Sequence, residues 1–211
     1  MLRSVQELEG YAVQATDGTI GHVKDFYVDD KTWVVRYLVV ETGSWLSSRK
    51  VLISPISIGH PDWTERILPV SITKEQVKNS PDIDTDKPVS RQHEMQYLGY
   101  YGYPYYWGGA GLWGGGAYPG VMLTGVGYGK SGAEYLVAQA DHTRAEADTD
   151  LRQKDGDAHL RSCRVLLRYH IEATDGGMGQ VKGLLVDEDT WPASKILVKT
   201  CHSGNRPAIS H

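Results

Sequence analysis

Residues 15–33 read "ATDGTIGHVKDFYVDDKTW", and residues 173–191 read "ATDGGMGQVKGLLVDEDTW". Extended outward without gaps, residues 2–42 match residues 160–200 at 18 of 41 positions. Ordinary composition gives about two or three such matches by chance, so the pair is a duplication. After Thr42 the register slips: "SWLSSRKVLIS" faces "HSGNRPAIS" with two residues lost, and the second copy ends where the first continues.

Each copy opens with Ser and a short leucine-bearing turn, and then Tyr11 or Tyr169 begins a strand. Asp-Gly closes it, since glycine tolerates the positive φ of tight connections. The next strand has shared apolar positions at Val23, Phe26 and Val28, matched by Val181, Leu184 and Val186. That spacing of three and then two breaks strict alternation and places a bulge at Lys24-Asp25 and again at Lys182-Gly183. Residues 34–40 are apolar on both faces, as a strand covered on both sides should be. The second copy puts Pro192 at the same strand start, which reads as an edge because proline cannot donate to a ladder. The first copy alone adds "RKVLIS", "RILPVSI" and a helix from Thr73, with Thr73 and Gln76 set for a capping box.

The chain has 211 residues and a formal charge of −4, with a pI near 6, so no global charge draws it to nucleic acid or anionic lipid. Met1-Leu2-Arg3-Ser4 runs straight into the repeat, leaving no room for a signal peptide, and no apolar run reaches the roughly 18 residues of a spanning helix. Two cysteines do not make a disulfide framework. The expectation is a cytoplasmic protein that does not anchor itself in a membrane, although contact with a membrane complex from the side is compatible with it.

The stretch "GYAVQATDGTIGHVKDFYVDDKTWVVRYLVVETGSWLSSRKVLISP" resembles a PRC-barrel domain. The family takes its name from the cytoplasmic barrel of the photosynthetic reaction centre H subunit. A related barrel ends the ribosome maturation factor that binds a small-subunit ribosomal protein. The whole arrangement is similar to bacterial tandem PRC-barrel proteins, whose linkers carry stretches like "SPDIDTDKPVSRQHE" and "YYGYPYYWGG". The resemblance implies an all-β protein with minor α. It has two small barrels from the internal repeat, at residues 1–80 and, shortened, at 160–211, joined by a Gly/Tyr-rich linker over 81–159. It also implies a docking module, non-catalytic and without a cofactor, whose partner is another protein. That partner belongs either to an H-subunit-like electron-transfer complex or, alternatively, to ribosome maturation or RNA processing.

Residues 97–129 hold twelve glycines, ten Tyr or Trp and no charged side chain. Stacking on single-stranded nucleic acid needs cations to track phosphates, and none lies there. The segment reads as a tether whose aromatics dock on a barrel or on a second subunit. A shortened second copy exposes a strand edge, which together with these aromatics predicts a homodimer.

Chemical signatures are missing. Asp82, Asp84 and Asp86 lack the glycine and glutamate of a calcium loop and read as a turn with local hydrogen bonds. Eight histidines and two cysteines show no zinc spacing, no phosphate loop is present, and no nucleophile is flanked by a base. Aromatic and arginine side chains dominate interfaces, so Trp33, Arg36, Tyr37 and Trp45 are the candidates for exposed protein-binding residues. Trp33 recurs as Trp191, which also fits burial.

Overall fold

In the computed structural model, residues 1–81, 89–107, 112–113, 159–174 and 176–200 are described. They are mostly β with few helices. The first repeat supplies β1 (Leu2–Ser4), α1 (Val5–Leu8), β2 (Ala12–Ala15), β3 (Gly18–Asp29) and β4 (Val35–Thr42). It continues through β5 (Lys50–Ile53), β6 (Ile67–Pro69) and α2 (Lys74–Asn79), and α3 (Arg91–Tyr101) follows. The second repeat supplies β7 (Leu160–Ser162), α4 (Cys163–Leu166), β8 (His170–Ala173), β9 (Gly176–Asp187) and β10 (Ala193–Thr200).

The strands form two sheets, and each repeat lends its first strand to the other. One sheet runs β5-β4-β3-β2-β6, with β7 of the second repeat paired to β3. The other runs β1-β9-β10, with β8 also on β9. The registers are equivalent: Leu2 faces Asp187 and Ser4 faces Leu185, while Leu160 faces Asp29 and Ser162 faces Tyr27. No ladder among the described strands closes into a ring.

The exchange is centred where Val34 faces Pro192 across an isolated antiparallel bridge. The flanking bonds are Val35 N–H to Trp191 O at 2.9 Å and Ala193 N–H to Trp33 O at 2.7 Å. Neither Val34 nor Pro192 donates in this pair. That is why proline is accepted at this strand start: β10 is the terminal strand of its sheet, as the sequence suggested, and its bridge to Val34 needs no N–H from residue 192. Asp29 and Asp187 prepare the same turn on each side. Asp29 Oδ1 accepts from Lys31 N–H and Thr32 N–H, and Asp187 Oδ1 accepts from Asp189 N–H and Thr190 N–H. Partial burial would raise the Asp187 carboxyl, but the hydrogen bonds from Thr190 and Asp189 outweigh it and hold it below its ordinary value. Ion pairs repeat as well, with Arg3 to Glu188 at 2.9 Å and Arg161 to Asp30 at 3.0 Å.

The bulges stand where the spacing put them. The β3–β4 register shifts between Val23 and Asp25, and the β9–β10 register shifts between Gly183 and Val181. The side chains on either side of the Lys24 bulge, Val23 and Phe26, are both buried, as are Val181 and Leu184 in the second repeat. Seven of the eight β4 residues are buried. Helix α2 starts with the expected capping box, Thr73 with Gln76, and Asp17 Oδ1 accepts the Lys74 N–H at 2.8 Å. One buried apolar cluster takes residues from both repeats, including Val5, Leu8, Val28, Leu160, Leu166 and Val186.

Gly21 faces Thr42 where β3 pairs with β4. A Cβ there would stand 2.0 Å from Glu41 O, which is backbone and cannot swing aside. Gly21→Ala is therefore expected to cost about 1–3 kcal/mol in urea unfolding, the usual cost of overpacking. Gly99→Ala, inside α3 with nothing near its Cβ, is expected to gain about 0.5–1 kcal/mol. Equal effects at the two glycines would contradict the close approach of β3 and β4.

Candidate interaction surface

The four sequence candidates fall into different environments. Arg36 and Tyr37 are 2% and 1% exposed, so they are not the surface residues their types suggested. What covers them is the chain itself, with Tyr97 of α3 on Tyr37 and Tyr106 and Trp113 on Arg36. Trp45 is half-buried, its Nε1–H donates to Ile20 O at 2.7 Å, and Lys74 Nζ lies 4.5 Å from its ring centre. Trp33 is 37% exposed, whereas its repeat partner Trp191 is buried.

Burial of Arg36 is the key to the linker. Its guanidinium lies 3.8 Å from the centre of the Tyr106 ring and 4.9 Å from that of Trp113. It donates to Leu112 O and to Thr32 Oγ1, and Asp29 Oδ2 is 3.8 Å from its Nε. Burial lowers the Arg36 pKa, opposed by Tyr106, Asp29 and Glu94. Cation–π contacts out of water are worth about 2 kcal/mol, enough to hold an aromatic strap over the strand.

Glu94, buried in α3, forms the second half of this clasp. Tyr106 OH donates to its Oε1, His159 Nε2 is 2.9 Å from its Oε2, and Arg91 Nη1 donates to Oε2 at 3.2 Å. Tyr106 has one proton and spends it on the carboxylate, while Arg91 Nη1 donates to the Tyr106 oxygen at 2.9 Å. His159 Nε2, 3.0 Å from that oxygen, must then be the protonated nitrogen. Two guanidiniums, Arg36 and Arg91, face two carboxylates, Asp29 and Glu94, so formal charges cancel before His159 is counted. Burial pushes the Tyr37 and Tyr106 hydroxyls well above their usual pKa, with the Glu94 charge adding to it.

The aromatic strap is thus docked within the chain. Tyr97 OH donates to Leu52 O, Tyr105 stacks on Trp107 at 4.8 Å, and Trp113 Nε1–H donates to Thr190 O at 2.8 Å. This last bond ties the strap to the second repeat. No spacing rule pairs residues 36, 94, 106 and 159, which are far apart in sequence; the only signal was that Arg36 interrupts an apolar strand.

Residues 2–77 match the PRC-barrel domain family. This part of the chain is a PRC-barrel domain. Arg36 and Tyr37 stand on a central strand of that domain, and the strap that buries them lies outside the matched residues. An uncharacterized protein of Deinococcus radiodurans is 34% identical over 99 residues, covering 41% of this chain and 35% of the relative. The chain therefore spans about a third of that relative's length.

Among the described residues, no group of three His, Cys, Asp or Glu side chains is placed to hold a metal ion. Asp82, Asp84 and Asp86 lie outside those residues. Burial pushes the Cys163 thiol well up, which keeps it protonated. No described helix is long and apolar enough to cross a membrane.

Glu94→Ala strips the clasp of a buried charge and leaves Arg91 and His159 without it. The expected loss is about 3–5 kcal/mol in urea unfolding, the cost of breaking a buried ion pair from one side. Trp113 fluorescence should shift toward that of a solvated indole at the same time. A loss below about 1 kcal/mol would contradict the clasp, being the level of an exposed pair.

Proposed function

We propose that this chain is a non-catalytic assembly module that works in the cytoplasm and docks on another protein through the surface around Trp33. The observation that carries the reading is the state of Trp33. It holds a left-handed backbone, φ 56°, and is 37% exposed. A non-glycine residue in that region costs roughly 1–2 kcal/mol, and glycine would be cheaper. Trp191 takes the same conformation, φ 66°, but its ring is buried. The φ belongs to the turn that both repeats share, so what sets Trp33 apart is its exposed indole, and Trp is among the commonest interface anchors.

Two sheets sharing a core support a scaffold that presents this anchor rigidly. The equal registers support reading the second repeat as a shortened barrel of the same type. Docking on a membrane electron-transfer complex, as the reaction centre H subunit does, is the narrower form of the proposal and rests on the family resemblance. Tyr97, Tyr106 and Trp113 pack within the chain, which weakens one of two grounds for a homodimer; the second ground is the edge of β10.

Chemical crosslinking in the native cell, comparing the wild type with Trp33→Gly, tests the module. The expected result is one defined protein partner whose yield falls about 30-fold in the variant, the effect of losing a 2 kcal/mol anchor. The melting temperature should stay level or rise. Recovery of the same partners by both chains would end the proposal for Trp33. Co-sedimentation with the small ribosomal subunit would replace the assembly reading with the ribosome-maturation one.

A further inference from the structure

Strand β10 is built as the counterpart of β4, yet its outer edge meets no described strand. In the first repeat β5 occupies that edge, with Leu38 facing Ile53, Val39 facing Leu52, Val40 facing Val51 and Glu41 facing Lys50. The corresponding positions of β10 are Ile196, Leu197, Val198 and Lys199. Leu38 and Val39 are buried under their neighbours, whereas Ile196 and Leu197 are 39% and 45% exposed. An open edge of this kind accepts an extended peptide through backbone hydrogen bonds, and the side chains beside it select which peptide.

The charges state the selection. Lys195, Leu197 and Lys199 alternate along β10, so they share one face, and all three are exposed. In the first repeat Lys24 Nζ meets Glu41 Oε2 at 2.9 Å. The second repeat keeps the lysine as Lys182 but replaces the glutamate by Lys199, in the same register. A surface ion pair has become two like charges, with a third, Lys195, on the same face of β10.

We propose that the β10 edge takes up, by strand addition, an extended segment of a partner protein carrying acidic, apolar and acidic side chains at alternate positions. Carboxylates two residues either side of the apolar group would face Lys195 and Lys199 in antiparallel pairing. A second copy fits poorly, because β10 paired with itself about Leu197 sets Lys195 against Lys199 twice. The chain's own stretch aligned with β5 would set Arg206 against Lys199 and place Pro207, with no N–H, in the ladder.

This inference rests on the interaction-module reading but uses a different surface, so the two can fail separately. The test uses the full chain and two acetylated nine-residue peptides, one with the core EVLVE and its twin with the core KVLVK. Titration calorimetry should show EVLVE binding at least about tenfold more tightly than KVLVK at low salt, with the advantage shrinking as salt rises. Amides of residues 195–199 should gain protection from hydrogen exchange when EVLVE is bound. Lys195→Glu with Lys199→Glu should reverse the preference toward KVLVK, which simple loss of folding would not do. Trp33→Gly should leave peptide binding unchanged.

Equal binding of the twins, or no binding by either, overturns the proposal. Binding that appears only after residues 201–211 are removed overturns it in favour of the chain's own tail. A dimer in light scattering that Lys199→Glu strengthens and EVLVE does not dissociate overturns it in favour of a second copy.

Discussion

The bridge between Val34 and Pro192 is the constraint from which the rest of the molecule follows. Its two hydrogen bonds use the amides of Val35 and Ala193 and the carbonyls of Trp33 and Trp191. Around that point each repeat sends its first strand, and the helical turn behind it, onto the other's long strand. Helix α1 packs on β9 and α4 on β3. Neither repeat completes its sheet alone, because β3 needs β7 and β9 needs β1. Two domains linked by a tether would have separate cores; here Leu160, Cys163 and Leu166 share a core with Val28 and Phe26.

Divergence around this symmetric centre produced two unlike faces. In the first repeat the strand after the joint carries Arg36 and Tyr37, and the chain returns 55 residues later to bury both beneath α3 and the aromatic strap. In the second repeat the same positions hold Ser194 and Lys195, which are exposed, and no described strand pairs with the outer edge of β10. The buried arginine that stacks on Tyr106 and Trp113 and the exposed lysine of β10 are alternative uses of one strand. The first closes a surface, and the second leaves its side chains exposed.

Much of this architecture was legible in the sequence, for reasons that are local. A spacing of three between Val23 and Phe26 is a bulge whatever surrounds it, and Thr73 with Gln76 caps a helix by its own hydrogen bonds. The exchange of β1 and β7 was not legible. The sequence Leu-Arg-Ser is the same in both repeats, so it fits either long strand equally well. Arg36 and Tyr37 were read as exposed because arginine and tyrosine normally keep their polar ends in water. Their cover comes from Tyr97, Tyr106 and Trp113, whose mutual positions depend on the fold. The glycine-rich composition of residues 97–129 concealed that Tyr97, Tyr106 and Trp113 each have one fixed hydrogen-bond acceptor.

Native-state hydrogen exchange in rising urea tests most directly whether the exchanged strands make one cooperative body. If they do, amides of Tyr27 to Asp29 in β3 and of Leu185 to Asp187 in β9 converge on one opening isotherm. Leu160→Ala should then lower protection in both sets together, since a lost buried leucine costs about 2–5 kcal/mol wherever the cooperative unit extends. Separate isotherms, with β9 opening while Tyr27 to Asp29 keep full protection, would contradict it and return the chain to two independent domains on a tether.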